Sequence, residues 1–92
     1  MPHSPRSIVE TSHYVGILRQ LKLSSREADE LLRGVLFVVA RSPRDGVRIA
    51  AGSHVWAIAF ENPTASTQSY LLYYTFDSAK VFLLALRRSD EN

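Results

Sequence analysis

The sequence predicts an α+β domain in the order β-α-α-β-β-β, with two N-terminal helices packed on one face of a small antiparallel sheet. Three observations carry this reading. In the first half, apolar residues recur at helical spacing: Tyr14, Ile17, Leu18 and Leu21, then Ala28, Leu31, Leu32, Val35, Leu36 and Val39. The second half switches to β-rich runs, HVWAIAF (54–60), SYLLYYTF (69–76) and VFLLALRR (81–88). Those runs are apolar on both faces, the pattern of strands that helices cover.

Each element follows from local chemistry. Residues 1–6 (MPHSPR), with Pro2 and Pro5, form a loose lead-in, and residues 7–11 (SIVET) a short β-branched first strand. Ser12 is the expected cap of a helix running to about Leu21. Gly16 weakens that helix by about 1 kcal/mol relative to alanine. Ser24 and Glu27 have capping-box spacing, and Glu27, Asp29 and Glu30 set negative charge at the positive end of the second helix dipole. Ser42-Pro43 stops that helix beyond Arg41, and Asp45-Gly46 makes a turn. Residues 61–68 (ENPTASTQ) are expected to be a long polar loop and residues 77–80 (DSAK) a tight one, giving a three-stranded meander. Residues 89–92 (SDEN) form a frayed tail.

A chain of 92 residues, 46% hydrophobic, is a single domain over 1–92. The absence of cysteine excludes disulfides, thiolate metal sites and a cysteine nucleophile. Nothing in the first residues has the apolar core of a secretion signal. The longest apolar stretches, 35–40 and 81–86, are far short of a membrane span, so a soluble cytoplasmic protein without membrane contact is expected. The net charge is +2, and nine of the eleven basic residues are arginine; the sequence pI is about 9.3. Arginine suits bidentate phosphate contacts, so the positions of these arginines matter more than their sum.

In order and length the chain resembles the RelE/ParE superfamily of bacterial toxins, and within it the HigB-like branch. Ile8-Val9-Glu10-Thr11 is similar to the first strand and His13-Tyr14 with Leu18 and Leu21 to the first helix. Leu23-Ser24-Ser25-Arg26-Glu27 resembles the start of the second helix. Ser42-Pro43-Arg44-Asp45-Gly46 resembles the family's Asn-Pro-x-x-Gly exit, and Tyr73-Tyr74 and Val81-Phe82-Leu83-Leu84 the last strands. The resemblance implies a toxin of a type II toxin–antitoxin pair: a ribosome-dependent endoribonuclease that cuts mRNA without metal or cofactor. It also implies a cognate antitoxin protein as partner in a hetero-oligomer.

The chain departs from the family pattern on two strands. HigB-like members carry Arg-Lys-x-Arg along the second strand, where this chain has Gly52-Ser53-His54-Val55-Trp56-Ala57. Tyr70 stands near the position of an arginine on the third strand. Arg87-Arg88 keeps the basic end of the fourth.

The candidate catalytic residues are therefore Arg87, Arg88, His54 and Tyr74, and the candidate RNA-binding residues Arg44, Arg48 and Tyr70. Arginines would hold the scissile phosphate, and His54 or Tyr74 would move the proton. Arg87 and Arg88 alternate in direction, so one of the pair is expected at the site. Tyr70 and Tyr74 share one face with Leu72, read here as the solvent face, while Tyr73 points to the helices. Function is expected on that solvent face, with these side chains within reach of a single phosphate. Each has a structural alternative: a solvated strand end for the arginines, packing beside Trp56 for His54, shielding of the sheet for the tyrosines, and a charged turn for Arg44 and Arg48. His3 and His13 are surface positions without metal-ligand spacing.

Two other functions fit the same residues. One is a ParE-like member that binds a protein target such as gyrase without RNA chemistry, which the missing strand arginines favour. The other is an unrelated regulatory domain of the same order.

Overall fold

The computed structural model describes residues 5–89, apart from the side chains of residues 66 and 67. The elements are β1 (Ser7–Glu10), α1 (Ser12–Gln20), α2 (Ser25–Arg41), a 3-10 turn (Pro43–Asp45), β2 (Val47–Arg48), β3 (Trp56–Asn62), β4 (Ala65–Phe76) and β5 (Lys80–Arg88). Two helices thus precede a run of strands, an α+β arrangement in the order the sequence predicts, with one additional two-residue strand, β2.

Local chemistry sets the helix ends. The capping box is formed: the Ser24 hydroxyl accepts from the Glu27 N–H at 3.1 Å, and the Glu27 carboxylate accepts from the Ser24 N–H at 3.2 Å. The first helix is capped one residue earlier than expected, by Thr11. Its hydroxyl accepts from the Tyr14 N–H and also donates to the Leu83 carbonyl at 2.7 Å, so one side chain starts α1 and ties it to β5.

The sheet order is β1-β5-β4-β3-β2. Hairpins make β2, β3, β4 and β5 antiparallel, but β1 lies parallel to β5, Ile8 opposite Val81 and Glu10 opposite Leu83. The sheet is therefore mixed rather than wholly antiparallel. Short turns dictate the hairpins, whereas the partner of β1 lies more than seventy residues away and leaves no local signal. The expected long loop over 61–68 is a tight turn at Pro63 and Thr64, where the Asn62 side-chain carbonyl accepts from the Thr64 N–H at 3.0 Å. Strand pairing resumes at Ala65, with an irregularity before Ser69.

The core lies between α1, α2 and one face of the sheet. Ala28, Leu31, Leu32, Val35 and Val39 bury the helical stripe against Tyr70, Leu72, Tyr74, Val81, Leu83 and Leu86. Residues 1–4 of the expected lead-in lie outside the described residues, but Arg6 is not loose: its N–H donates to the Ala40 carbonyl at 2.8 Å. Of the expected tail, residues 90–92 lie outside the described residues, and Ser89 still donates to the Ser69 carbonyl at 2.9 Å. Among the described residues no helix is long and apolar enough to cross a membrane.

Candidate functional site

The pairing register fixes which side chains share a face. Arg48 lies opposite Trp56, and Trp56 opposite Tyr74. With Phe76 two positions further along β4, these four residues fall on the face that the helices cover. Helix α2 ends at Arg41, so the last strip of this face, around Trp56 and Phe76, is left to the loops.

The Pro43–Asp45 turn crosses the sheet here, and Tyr74 holds it. The Tyr74 hydroxyl donates to the Pro43 carbonyl at 2.5 Å and lies against the Gly46 backbone. Burial raises the Tyr74 phenol above its ordinary value; the Gly46 amide pulls it back, and the Asp45 carboxylate pushes it up again. Gly46 is needed for close approach: a Cβ there would overlap the Tyr74 hydroxyl and sit 2.7 Å from the Ala57 carbonyl oxygen.

This turn brings Arg44 over the Phe76 ring, its Cζ 5.7 Å from the centroid. Arg48 lies over Trp56 at 5.4 Å. The two rings meet at 5.7 Å in a tilted pair. His54 is exposed in the loop before β3, rather than in the strand as expected, and its carbonyl accepts from the Thr75 hydroxyl at 2.7 Å. Arg44, Arg48, Ser53, His54, Trp56 and Phe76 line one shallow cleft of about 170 Å³. The cleft presents guanidinium and imidazole donors on an aromatic floor, an arrangement suited to a phosphate.

The structure thus brings together three of the seven expected site residues: Arg44, Arg48 and His54. The other four do not line this cleft. Tyr70 and Tyr74 are buried on the helix face, not displayed to solvent, and Tyr70 stacks on Phe60 at 5.6 Å. Tyr73, expected towards the helices, pairs with Ala57 and Ala85 on the opposite face. The parity is reversed because a strand apolar on both faces carries no alternation to read. Tyr74 is fully buried and has no access to a substrate.

Arg87 and Arg88 do alternate: Arg88 pairs with Tyr70 on the helix face, and Arg87 is exposed on the other, opposite Leu71. Both lie at the far end of the sheet. Six strand positions separate Tyr70 from Phe76, or roughly 20 Å at the usual rise per residue. No single phosphate is reached by both groups, and the expected convergence is not built.

One cation at the basic corner carries no sequence signal. Arg6, just ahead of β1, lies over the Phe76 ring at 5.4 Å and donates from Nε to the Asp77 carbonyl at 2.6 Å. Only the β1–β5 pairing brings it there.

No protein-family model matches this chain, and no curated protein matches it.

Proposed function

We propose that this protein is a RelE/HigB-like toxin of a type II toxin–antitoxin pair, cytoplasmic, acting on mRNA at the ribosome. The observation that carries the reading is the convergence of Arg44, Arg48 and His54 in one cleft at a corner of the sheet. The order of helices before strands supports it as well. In this reading the 2′-oxygen attacks phosphorus as the P–O5′ bond breaks, leaving a 2′,3′-cyclic phosphate and a 5′-hydroxyl. Arg44 and Arg48 hold the phosphate and stabilise its growing charge, while His54 takes the 2′-hydroxyl proton and hands it to the departing 5′-oxygen. The cognate antitoxin is the protein partner. Strand β3 supports this partnership, because among the described residues its outer edge pairs with β2 at Trp56 and Ala57 and with no other strand.

The test is induced expression followed by mapping of mRNA 5′ ends. Growth arrest with new cleavage ends is expected. Arg48→Ala and His54→Ala should each lower the cleavage rate by about 10²–10³, the scale of one lost electrostatic or proton-transfer contact. Co-expression of the neighbouring gene product should restore growth.

A second reading has a specific observation in its favour. Arg87 and Arg88 lie far from His54, and Tyr74 is buried, so the expected four-residue catalytic set is not assembled. This favours a ParE-like protein that binds a protein target without cutting RNA. Growth arrest with intact mRNA would support it over the nuclease.

A further inference from the structure

We infer that Arg6 completes a three-guanidinium phosphate clamp with Arg44 and Arg48, and that this clamp takes backbone phosphates of the RNA. The second clause rests on the reading above; the first stands on geometry alone.

The Arg6 and Arg44 guanidinium carbons both lie within 5.7 Å of the Phe76 centroid, and Arg48 lies over the adjoining Trp56. These distances are within cation–π range, so each ring attracts its arginine and favours the guanidinium at this corner without using up its charge. The rings themselves belong to strands and are held by their own contact at 5.7 Å. The clamp is therefore largely formed before any ligand arrives.

Arg6 is fixed at two points, by its N–H on the Ala40 carbonyl and its Nε on the Asp77 carbonyl. Of its five donors, the four on the terminal nitrogens make no hydrogen bond among the described residues and can meet an anion.

The nearby acids offset this corner only in part: the Asp77 carboxylate is close enough to Arg6 to be stabilised by its charge. Among the described residues the ion pair within 4.0 Å is Arg26–Glu30, on the exposed surface of α2, and Arg6, Arg44 and Arg48 have no carboxylate at that distance. The Asp77 carboxylate accepts from the Ala79 and Lys80 N–H groups at 2.8 and 2.7 Å instead. Three guanidinium groups around two touching rings, none with a carboxylate within 4.0 Å, make this corner electropositive, and a polyanion is attracted to it.

Arg44 and Arg48 line the cleft while Arg6 stands at Phe76 outside its lining, so the size of the cleft bears on the part of the anion that Arg44 and Arg48 hold. At about 170 Å³ the cleft is smaller than the roughly 300 Å³ at which pockets for whole small molecules begin. It accommodates a phosphate group and its sugar edge, with the rest of the ligand running over the surface. A polymer meets that description.

The experiment uses a short 2′-O-methyl oligoribonucleotide, which cannot be cleaved, and inorganic tripolyphosphate as a second probe. Affinity is measured across a salt series. Arg6→Ala, Arg44→Ala and Arg48→Ala should each weaken oligonucleotide binding and reduce the salt slope by about 0.7, the single-strand value for one phosphate contact. Arg87→Ala, at the far end of the sheet, should change neither. Thermal melts of each variant separate lost binding from lost folding, and Arg6→Lys, which keeps the charge, should retain most of the slope. Wild-type affinity in Arg6→Ala, or no binding of either probe by the wild-type protein, overturns the clamp. Binding of tripolyphosphate alone, still sensitive to Arg6→Ala, would keep the clamp and overturn its assignment to RNA. Oligonucleotide binding that depends on Arg6, without growth arrest or cleavage in cells, would overturn the toxin reading and leave the clamp standing.

Discussion

The Tyr74 hydroxyl donates a 2.5 Å hydrogen bond to the Pro43 carbonyl, 31 residues earlier in the chain. This contact fastens the exit of α2 onto the middle of the sheet. It also sets where Arg44 and Arg48 leave the backbone, one inside the turn and the other just after it. Tyr74, which the residue pattern nominates for proton transfer, serves instead to position the cations around it.

Removing that hydroxyl should be costly. Tyr74→Phe leaves the buried Pro43 carbonyl without its donor, a loss of about 1–3 kcal/mol. Gly46→Ala should destabilise by a similar amount, because the new methyl meets the Tyr74 hydroxyl and the Ala57 carbonyl. Chemical denaturation of both variants checks this. Wild-type midpoints would mean that the turn is not held by this contact.

Tyr14 predicts the opposite sign for the same substitution. It is fully buried, and its hydroxyl has no hydrogen-bond partner among the described residues. Tyr14→Phe removes an unsatisfied polar atom, so stability should be unchanged or rise by up to about 1 kcal/mol. A clear fall in denaturation midpoint would contradict it.

Gly16 offers a stabilising change. It lies inside α1, and a Cβ there meets nothing within 4 Å. Gly16→Ala should stabilise by about 0.5–1 kcal/mol through helix propensity and a less flexible unfolded chain. For a domain of this size 1 kcal/mol corresponds to about 4–8 °C in Tm. Calorimetry would reveal the shift.

The two arginines of β5 should separate in their effect on folding. Arg87 is exposed, so Arg87→Ala should alter stability by less than about 0.5 kcal/mol. Arg88 is partly buried, pairs with Tyr70 and lines a cleft with the α1–α2 connection, and Arg88→Ala should cost more through lost packing. Paired thermal melts compare them; equal melting temperatures would argue against this placement.

Two acids should shape the acid limb of stability. The Ser24 N–H and hydroxyl hold the Glu27 carboxyl below its ordinary value, and the Ala79 and Lys80 N–H groups do the same for Asp77. A carboxylate whose folded pKa is depressed stabilises the fold above its unfolded pKa, near 4, and loses that contribution as pH falls through the folded value. Stability should therefore decline below about pH 5. The decline should be shallower in Glu27→Gln and Asp77→Asn, which carry no proton-linked contact at these positions. Denaturation midpoints between neutral and acid pH measure it, and an unchanged slope in both variants would count against these linkages.

The elements governed by neighbours in sequence were legible without a structure. Ser24 and Glu27 announce the start of α2, Ser42-Pro43 its end, and the stripe from Ala28 to Val39 its buried side. Hydrogen bonds three or four residues apart and a 3.6-residue period depend on local order alone. Arg44, Arg48 and His54 were also readable as candidates, since their residue types and the nearby turn lie within a dozen positions. What only the tertiary structure decided is everything that depends on pairing. Strands 69–76 and 81–88 are apolar on both faces, so no alternation reveals that Tyr70 and Tyr74 turn inward while Tyr73 turns out. The parallel docking of β1 on β5 joins segments more than seventy residues apart, and it alone carries Arg6 to Phe76 beside Arg44. Residue type makes an arginine a candidate for phosphate, but long-range register determines which arginines stand together.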